Sequence, residues 1–323
     1  MHCELVVPGL LGTAVEVRLP ALERLLARGR PMRGEPQSLE AWLPAEFGLE
    51  PARLAAGALT VLAGDDAPGN SLWARADPVH LRLLRDRMVV LPSAAFSLGA
   101  DEARALCESL NAHFEGRLAF QVHSPERWVV RLAEPLELPP MPALAFAGQD
   151  VAPGMPADAL LNEIQMALHE HPVNEAREAR GEPAVNSLWL WGAGTAPRAA
   201  KARWRTVTAD DPLLAGLARA AQSQARPPEP TAQAWLQHAP EEGRHLVVLQ
   251  ELRAPLALAD PAAARGVLAG LERAWFAPLL EALGSRVGMV TIHVPDAGLS
   301  VETIRGDLRR FWRRPKPLAA WVR

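Results

Sequence analysis

Residues Leu160 to Gly194 read LLNEIQMALHEHPVNEAREARGEPAVNSLWLWGAG, and the reading of the fold turns on them. Leu160, Leu161, Ile164 and Leu168 recur at helical spacing, so the stretch begins as a helix. Pro172 should end it, because a residue before proline is pushed out of the helical region. A polar segment follows, His171-Pro172-Val173-Asn174 and then Arg177, Arg180 and Gly181. Ser187-Leu188-Trp189-Leu190-Trp191 is an apolar run of the length of a buried strand, and it stops at Gly192-Ala193-Gly194. Helix, loop and buried strand in this order predict an α/β protein. In open α/β sheets, ligands sit outside the carboxyl ends of the strands. Asn174, Arg177 and Asn186 would supply amide and guanidinium donors for an anionic oxygen cluster, and Gly192 and Gly194 would let the backbone approach it. The same residue types also serve as ordinary solvated turn residues, and spacing alone does not separate the two readings.

A chain of 323 residues can bury a full core as one large or two smaller domains. A net charge of −3 gives no electrostatic case for nucleic acid. Cys3 and Cys107 make neither a disulfide framework nor a zinc spacing, which fits a reducing cytosol. The start, MHCELVVPGLLG, lacks the pattern of a signal peptide, and no stretch is long and apolar enough to span a bilayer. These features predict a soluble, cytoplasmic protein with no membrane contact.

Outward from the opening stretch, the first half offers a short strand at Leu5–Val7 and a helix over Leu19–Arg28 with Gly29 as its cap. Leu39–Phe47 and Pro51–Ala56 read as short helices, and Leu59–Leu62 as a strand. From Trp73 the texture changes. A strand at Met88–Leu91, a helix capped by Asp101 and a hairpin about Ser124-Pro125-Glu126 suggest a small α+β unit, closed by the proline-rich 135–156. Beyond Gly194 the pattern predicts a helix at Pro212–Gln224, a stiff linker at Ala225–Pro230 and a strand at His245–Gln250. A long helix at Asp260–Leu283, a strand at Val287–His293 and a last helix at Val301–Trp312 complete it. Alternating strands and helices indicate a mainly parallel sheet. The expected division is a core of 1–72 and 157–323 with an insert of 73–156.

Several stretches, in order, resemble the archaeal-type cofactor-independent phosphoglycerate mutases of the alkaline phosphatase superfamily. Its bacterial relatives are labelled phosphoglycerate mutase or regulator of pathogenicity factors. Ala76-Asp77-Pro78-Val79-His80-Leu81-Arg82 is similar to the family's G-D-V-A-F-R segment, with Arg82 on its arginine. His171-Pro172-Val173-Asn174, Arg177, Gly181 and Asn186 resemble its H-P-x-N-x-x-R-x-x-x-G-x-x-x-x-N pattern, and Trp189 to Gly194 its W-L-W-G-x-G variant. Leu19 to Leu25 is similar to T-P-N-L-D-x-L, and Gly48-Leu49-Glu50-Pro51 to G-Y-D-P. The resemblance implies an alkaline-phosphatase-like fold with a small α+β insert. It also implies a pocket for a small phosphorylated metabolite lined by Arg82, Asn174, Arg177, Asn186, Gly192 and Gly194.

The departures fall on the chemistry. Where the family's first strand ends in a metal-binding Asp-Gly, this chain has Pro8-Gly9. Where its nucleophile is a serine followed by aspartate, this chain reads Gln37-Ser38-Leu39-Glu40, and the count from Gly48 puts Leu39 on the nucleophile. Its C-terminal ligand motifs correspond to Glu251-Leu252-Arg253-Ala254-Pro255 and Ile292-His293-Val294-Pro295-Asp296. A two-metal phosphoryl-transfer site needs several carboxylates and histidines. The expectation is therefore a degenerate relative with no catalytic residues, no metal and no cofactor. Such a protein would bind a metabolite or act as a regulatory scaffold. The rival is an active mutase recruiting Asp65, Asp66, Glu251, Asp260, His293 and Asp296. His169-Glu170-His171 has the wrong helical geometry for zinc. The arginine-rich end from Arg305, with Phe311 and Trp312, reads either as a solvated helix face or as a dock for an acidic protein partner.

Overall fold

The strand period of two sends Cys3 and Leu5 to one face of the first strand, and His2, Glu4 and Val6 to the other. The computed structural model describes residues 1–12, 15–49, 54–64, 67–85, 87–151, 158–197 and 200–321. Its strands begin with β1 (His2–Val6), β2 (Arg30–Arg33), β3 (Leu72–Leu84), β4 (Arg87–Pro92), β5 (Leu118–Ser124) and β6 (Arg127–Leu132). They continue with β7 (Ser187–Gly194), β8 (Thr206–Thr208), β9 (Gln224–Arg226), β10 (Arg244–Val248), β11 (Met289–Val294) and β12 (Leu299–Ile304). The chain separates into two compact units: Met1–Gly48 with Ala200–Arg323, and Leu49–Ala199. The second unit is wider at both ends than the expected 73–156 insert.

The first unit holds a seven-stranded sheet in the order β2-β12-β11-β1-β10-β8-β9. β1 is parallel to β10 and β11, β10 to β8, and β8 to β9, while β12 and β2 add an antiparallel edge. The register puts Cys3, Leu5, Val247, Val290 and Ile292 on one side, where they join the main apolar core. Leu22, Leu25, Trp235, Leu268, Trp275 and Leu279, from helices Pro20–Arg28, Ala232–His238 and the segment Pro261–Ala282, complete it. That last segment is helical throughout, with a π turn over Glu272–Phe276. There the Glu272 carboxylate accepts from the N–H groups of Ala21 and Leu22, two donors left open at a helix start.

The second unit is built on an antiparallel sheet, β4-β3-β6-β5, with β7 also paired to β3. Helices Ala100–His113 and Asp158–Leu168 bury Leu106, Leu110, Leu161 and Ile164 against Trp128, Val130, Leu188 and Leu190. The whole is a mixed α/β fold with a mainly parallel sheet and a separate antiparallel one. No helix among the described residues is long and apolar enough to cross a membrane.

Several local expectations need correction. Leu59–Leu62 lies in a helix, Ala56–Ala63, where Gly57 sits so close to β3 that a Cβ would come 2.4 Å from the Ala74 backbone. Val301–Trp312 is not a helix: Leu299, Val301 and Thr303 are buried alternately in β12, and only a short 3-10 turn follows. Burial of every second residue in a sheet edge outweighed an ambiguous helical pattern. Gln224–Arg226 form β9, where Gln224 was expected to end a helix and Ala225 and Arg226 to begin a linker; the helix itself is Pro212–Ala220. Ser187–Trp191 belongs to the antiparallel sheet and runs on through Gly194. Pro172 does not merely stop one helix; it starts another, Pro172–Ala179, as the favoured first-turn residue. Of the expected helix at 51–56, residues 51–53 lie outside the described residues, and Ala56 begins the helix Ala56–Ala63.

Candidate functional site

Asn174 and Arg177 therefore stand on a short helix, and both are buried. The Asn174 amide donates to the carbonyls of Leu168 and Val185, 2.9 Å each, and its oxygen accepts from Val185 N–H at 2.8 Å. The Arg177 guanidinium donates to Pro183 O at 2.9 Å, Glu102 Oε2 at 2.7 Å and Ser97 O at 2.8 Å, with its Cζ 5.5 Å from the centre of the Phe96 ring. Arg180 joins through Glu102 and Glu182. Glu102 also accepts from Gly99 N–H. Burial raises its carboxyl, but that hydrogen bond and those from Arg180 and Arg177 hold it below the ordinary carboxylate range. Asn186 pairs with both backbone groups of Leu81, as a neighbouring strand residue would.

Gly192 has φ +61°, and a Cβ there would lie 2.5 Å from Ala56 Cβ; at Gly194 it would lie 2.7 Å from Ala55 Cβ. Both glycines admit the chain around Ala55 and Ala56, not an open cradle. Arg82 is exposed on β3 opposite Val89. The polar atoms of Asn174, Arg177 and Asn186 thus meet loops and strands of the same unit, and Arg82 is exposed where Asn174 and Arg177 are buried and Asn186 is partly so. His171 accepts from Val173 N–H through Nδ1, as an N-cap, so its Nε2 carries the proton toward Ser109 Oγ, 2.8 Å away. That tautomer cannot accept a proton from the serine at Nε2, and His169 and Glu170 are exposed beyond it.

In the first unit, the carboxyl end of the parallel sheet is where this architecture places a ligand. Gly9 N–H donates to Asp296 Oδ1 at 2.9 Å, which ties the turn after β1 to the turn after β11. Ser38 Oγ accepts from Ala41 N–H and caps the helix Leu39–Glu46. Glu40 pairs with Arg253 at 2.7 Å, and Arg253 also donates to Gln250. Asp260 caps the helix Pro261–Leu271 through Ala263 N–H. Beside these ties lies a cleft of about 540 Å³ lined by Gly12, Val15, Glu16, Leu256, Asp260 and Arg265, among others.

Across the sheet from the apolar core, Glu4 forms the centre of a buried ionic cluster. Arg244 Nε donates to it at 2.7 Å, His293 Nε2 lies 3.3 Å away and Arg203 Nη2 3.6 Å away. Burial raises the Glu4 carboxyl, but the hydrogen bonds from His293 and Arg244 and the charges of His2 and Arg244 bring it down to about 2. The second ring nitrogen of His293 meets Ser300 Oγ at 2.8 Å, and Trp42 packs on the ring at 5.3 Å. This cluster went unnoticed in the sequence. The signal was there, a glutamate inside the apolar run HCELVV.

A pair of divalent cations of the kind the resemblance implies does not fit these residues. Pro8 offers no side-chain ligand, and the carboxylates of Asp296, Glu40 and Asp260 are engaged as turn, ion-pair and cap partners. His293 is engaged at both nitrogens. Among the described residues, no three His, Cys, Asp or Glu side chains converge to hold a metal. Asp65 and Asp66 lie outside the described residues.

Comparison with known proteins finds a solved structure of similar fold. The structure of the PH0037 protein from Pyrococcus horikoshii is similar over 94% of this chain and 88% of its own, with a TM-score of 0.58 and 16% identity. A cofactor-independent phosphoglycerate mutase from Thermoplasma acidophilum DSM 1728 aligns over 94% of this chain and 90% of its own, with a TM-score of 0.48 and 19% identity. A curated sequence from Geobacter sulfurreducens, named a "Probable 2,3-bisphosphoglycerate-independent phosphoglycerate mutase", is 46% identical over 41 residues. Those residues are 13% of this chain and only 10% of that protein. No family model matches the chain. The fold is similar to that of the PH0037 protein. That likeness is shown for the fold, and not for an activity.

Proposed function

We propose that the chain is a degenerate relative of the cofactor-independent phosphoglycerate mutases that works by binding, as a regulatory or scaffold protein, without metal-dependent catalysis. One observation carries this reading: the turn after β1 has Pro8 where a metal-binding aspartate is implied, and Asp296 holds that turn through Gly9 N–H. Charge stabilisation by a metal contributes several kcal/mol to lowering a phosphoryl-transfer barrier. A site without its ligands forgoes it. Arg82, the one arginine of the expected pocket that is exposed, remains the residue through which a phosphorylated metabolite would be engaged.

The test is to assay the purified protein for interconversion of 3- and 2-phosphoglycerate with manganese or zinc, alongside metal analysis. No turnover and substoichiometric metal are expected. Turnover with stoichiometric metal, lost in Ser38→Ala, would overturn the reading in favour of an active mutase. Thermal-shift titration with the two phosphoglycerates tests the ligand. A bound ligand at about 100 times its Kd raises stability by about 2.7 kcal/mol.

A further inference from the structure

Five of the nine residues from Arg309 to Pro317 are Arg or Lys, and no acidic residue follows Asp307 in the chain. Phe311 is 78% exposed and Trp312 66%, with the two rings 5.3 Å apart and nearly perpendicular. This is not a loose end. On one side the buried Asp307 accepts from Ile304 N–H and pairs with Arg310 at 2.8 Å. On the other, Leu318 is buried in the main core and Trp321 packs against it. The loop between is stitched to a distant part of the sequence. Arg310 donates to Arg28 O, Arg313 to Gly29 O, and Arg28 back to Leu308 O. The edge strand β2 follows directly, all four of its residues exposed, with Arg30 3.5 Å from Asp307. Arg30 and Met32 share one side of that strand, and Met32 is exposed. Arg33, Arg309, Arg314 and Lys316 show no ion pair among the described residues.

We propose that this surface, the 309–317 loop with Arg30 and Met32, docks the protein on an anionic lipid surface. The fold holds two large rings out of a core that accepts Leu318 nearby, and it flanks them with cations on both sides. Aromatic rings favour the headgroup boundary of a bilayer, and guanidinium groups the phosphates above it. Such a surface needs no shape-complementary pocket. Rings at 82° do not offer parallel platforms to successive bases, which disfavours single-stranded nucleic acid. The expectation of no membrane contact rested on the absence of a signal-peptide pattern and of a spanning segment, neither of which reports a local patch. The proposal does not depend on whether catalysis is lost.

Cosedimentation of the full chain with phosphatidylcholine vesicles, with and without phosphatidylglycerol, tests it. The protein should pellet with the anionic vesicles only, and added salt should weaken the association. Each of Arg309→Gln, Arg314→Gln and Lys316→Gln should lower partitioning about fivefold. The double change Phe311→Ser and Trp312→Ser should lower it roughly tenfold or more. All five positions are exposed, so circular dichroism should be unchanged; if the serine variant misfolds, the glutamine variants and the salt dependence still decide. Failure of the folded wild type to pellet, equal pelleting with neutral vesicles, or indifference to these substitutions would overturn the proposal. So would tighter binding to a single-stranded oligonucleotide or to polyglutamate, which would assign the patch to nucleic acid or to an acidic protein.

Discussion

Arg177 is buried and gathers three acceptors, so removing it leaves the Pro183 and Ser97 carbonyls without that donor and leaves the part-exposed Glu102 with Arg180 and Gly99 N–H alone. Arg177→Met should therefore destabilise the protein by about 3 kcal/mol. Lysine should rescue little of it, since one ammonium cannot span the three acceptors. Urea unfolding of both variants checks this. Unchanged stability with loss of a bound metabolite would instead make Arg177 a ligand residue. Glu4 carries a pH dependence whose sign follows from its lowered value. The folded state prefers the carboxylate, so the stabilisation is complete above the ordinary glutamate value of 4.5 and is lost as pH falls from there toward about 2. The loss is roughly 3 kcal/mol at 1.36 kcal/mol per unit. In Glu4→Gln, stability measured by denaturant titration should fall less steeply over that window; an identical slope would count against the cluster.

At the level of elements, Gly192 shows what the Gly-x-Gly ending is for. Its positive φ and the 2.5 Å approach to Ala56 Cβ make alanine doubly unfavourable there. Gly192→Ala should cost roughly 2–4 kcal/mol from backbone strain and overlap. Gly181 has φ +76° with nothing within 4 Å, so Gly181→Ala should cost only the backbone part, about 1–2 kcal/mol. The difference between their urea midpoints isolates the packing of helix Ala56–Ala63 on β7; equal shifts would remove that account. Regular elements with a clean period were legible in the sequence: helix Pro20–Arg28, the segment Pro261–Ala282, the hairpin of β5 and β6, and β11. The misread ones share a cause. The Ala-Gly-rich Ala56–Ala63 is apolar on every side, and Val301–Trp312 fits either period, so only the neighbouring strand decides each.

For the whole molecule, the division at Gly48 and Ala199 predicts that residues 49–199 carry their own sheet and core. Expressed alone, that fragment should unfold cooperatively in urea and keep its near-ultraviolet dichroism; a featureless transition would show that it needs the first unit. The sequence by itself determined the α/β class, the resemblance to phosphoglycerate mutases and the absence of an aspartate at Pro8, because hydrophobic periods and residue identities are local. Which groups Arg177 and Asn186 meet was decided only in tertiary structure. An amide or guanidinium looks the same on paper whether it faces a ligand or a carbonyl, and here Ser97, Glu102 and Leu81 supply partners up to 105 residues away. The sheet that receives Ser187–Gly194 was settled the same way, since strand pairing is made between segments distant in the chain. So was the joining of Arg28–Arg33 to Arg309–Lys316, a basic surface that neither segment shows alone.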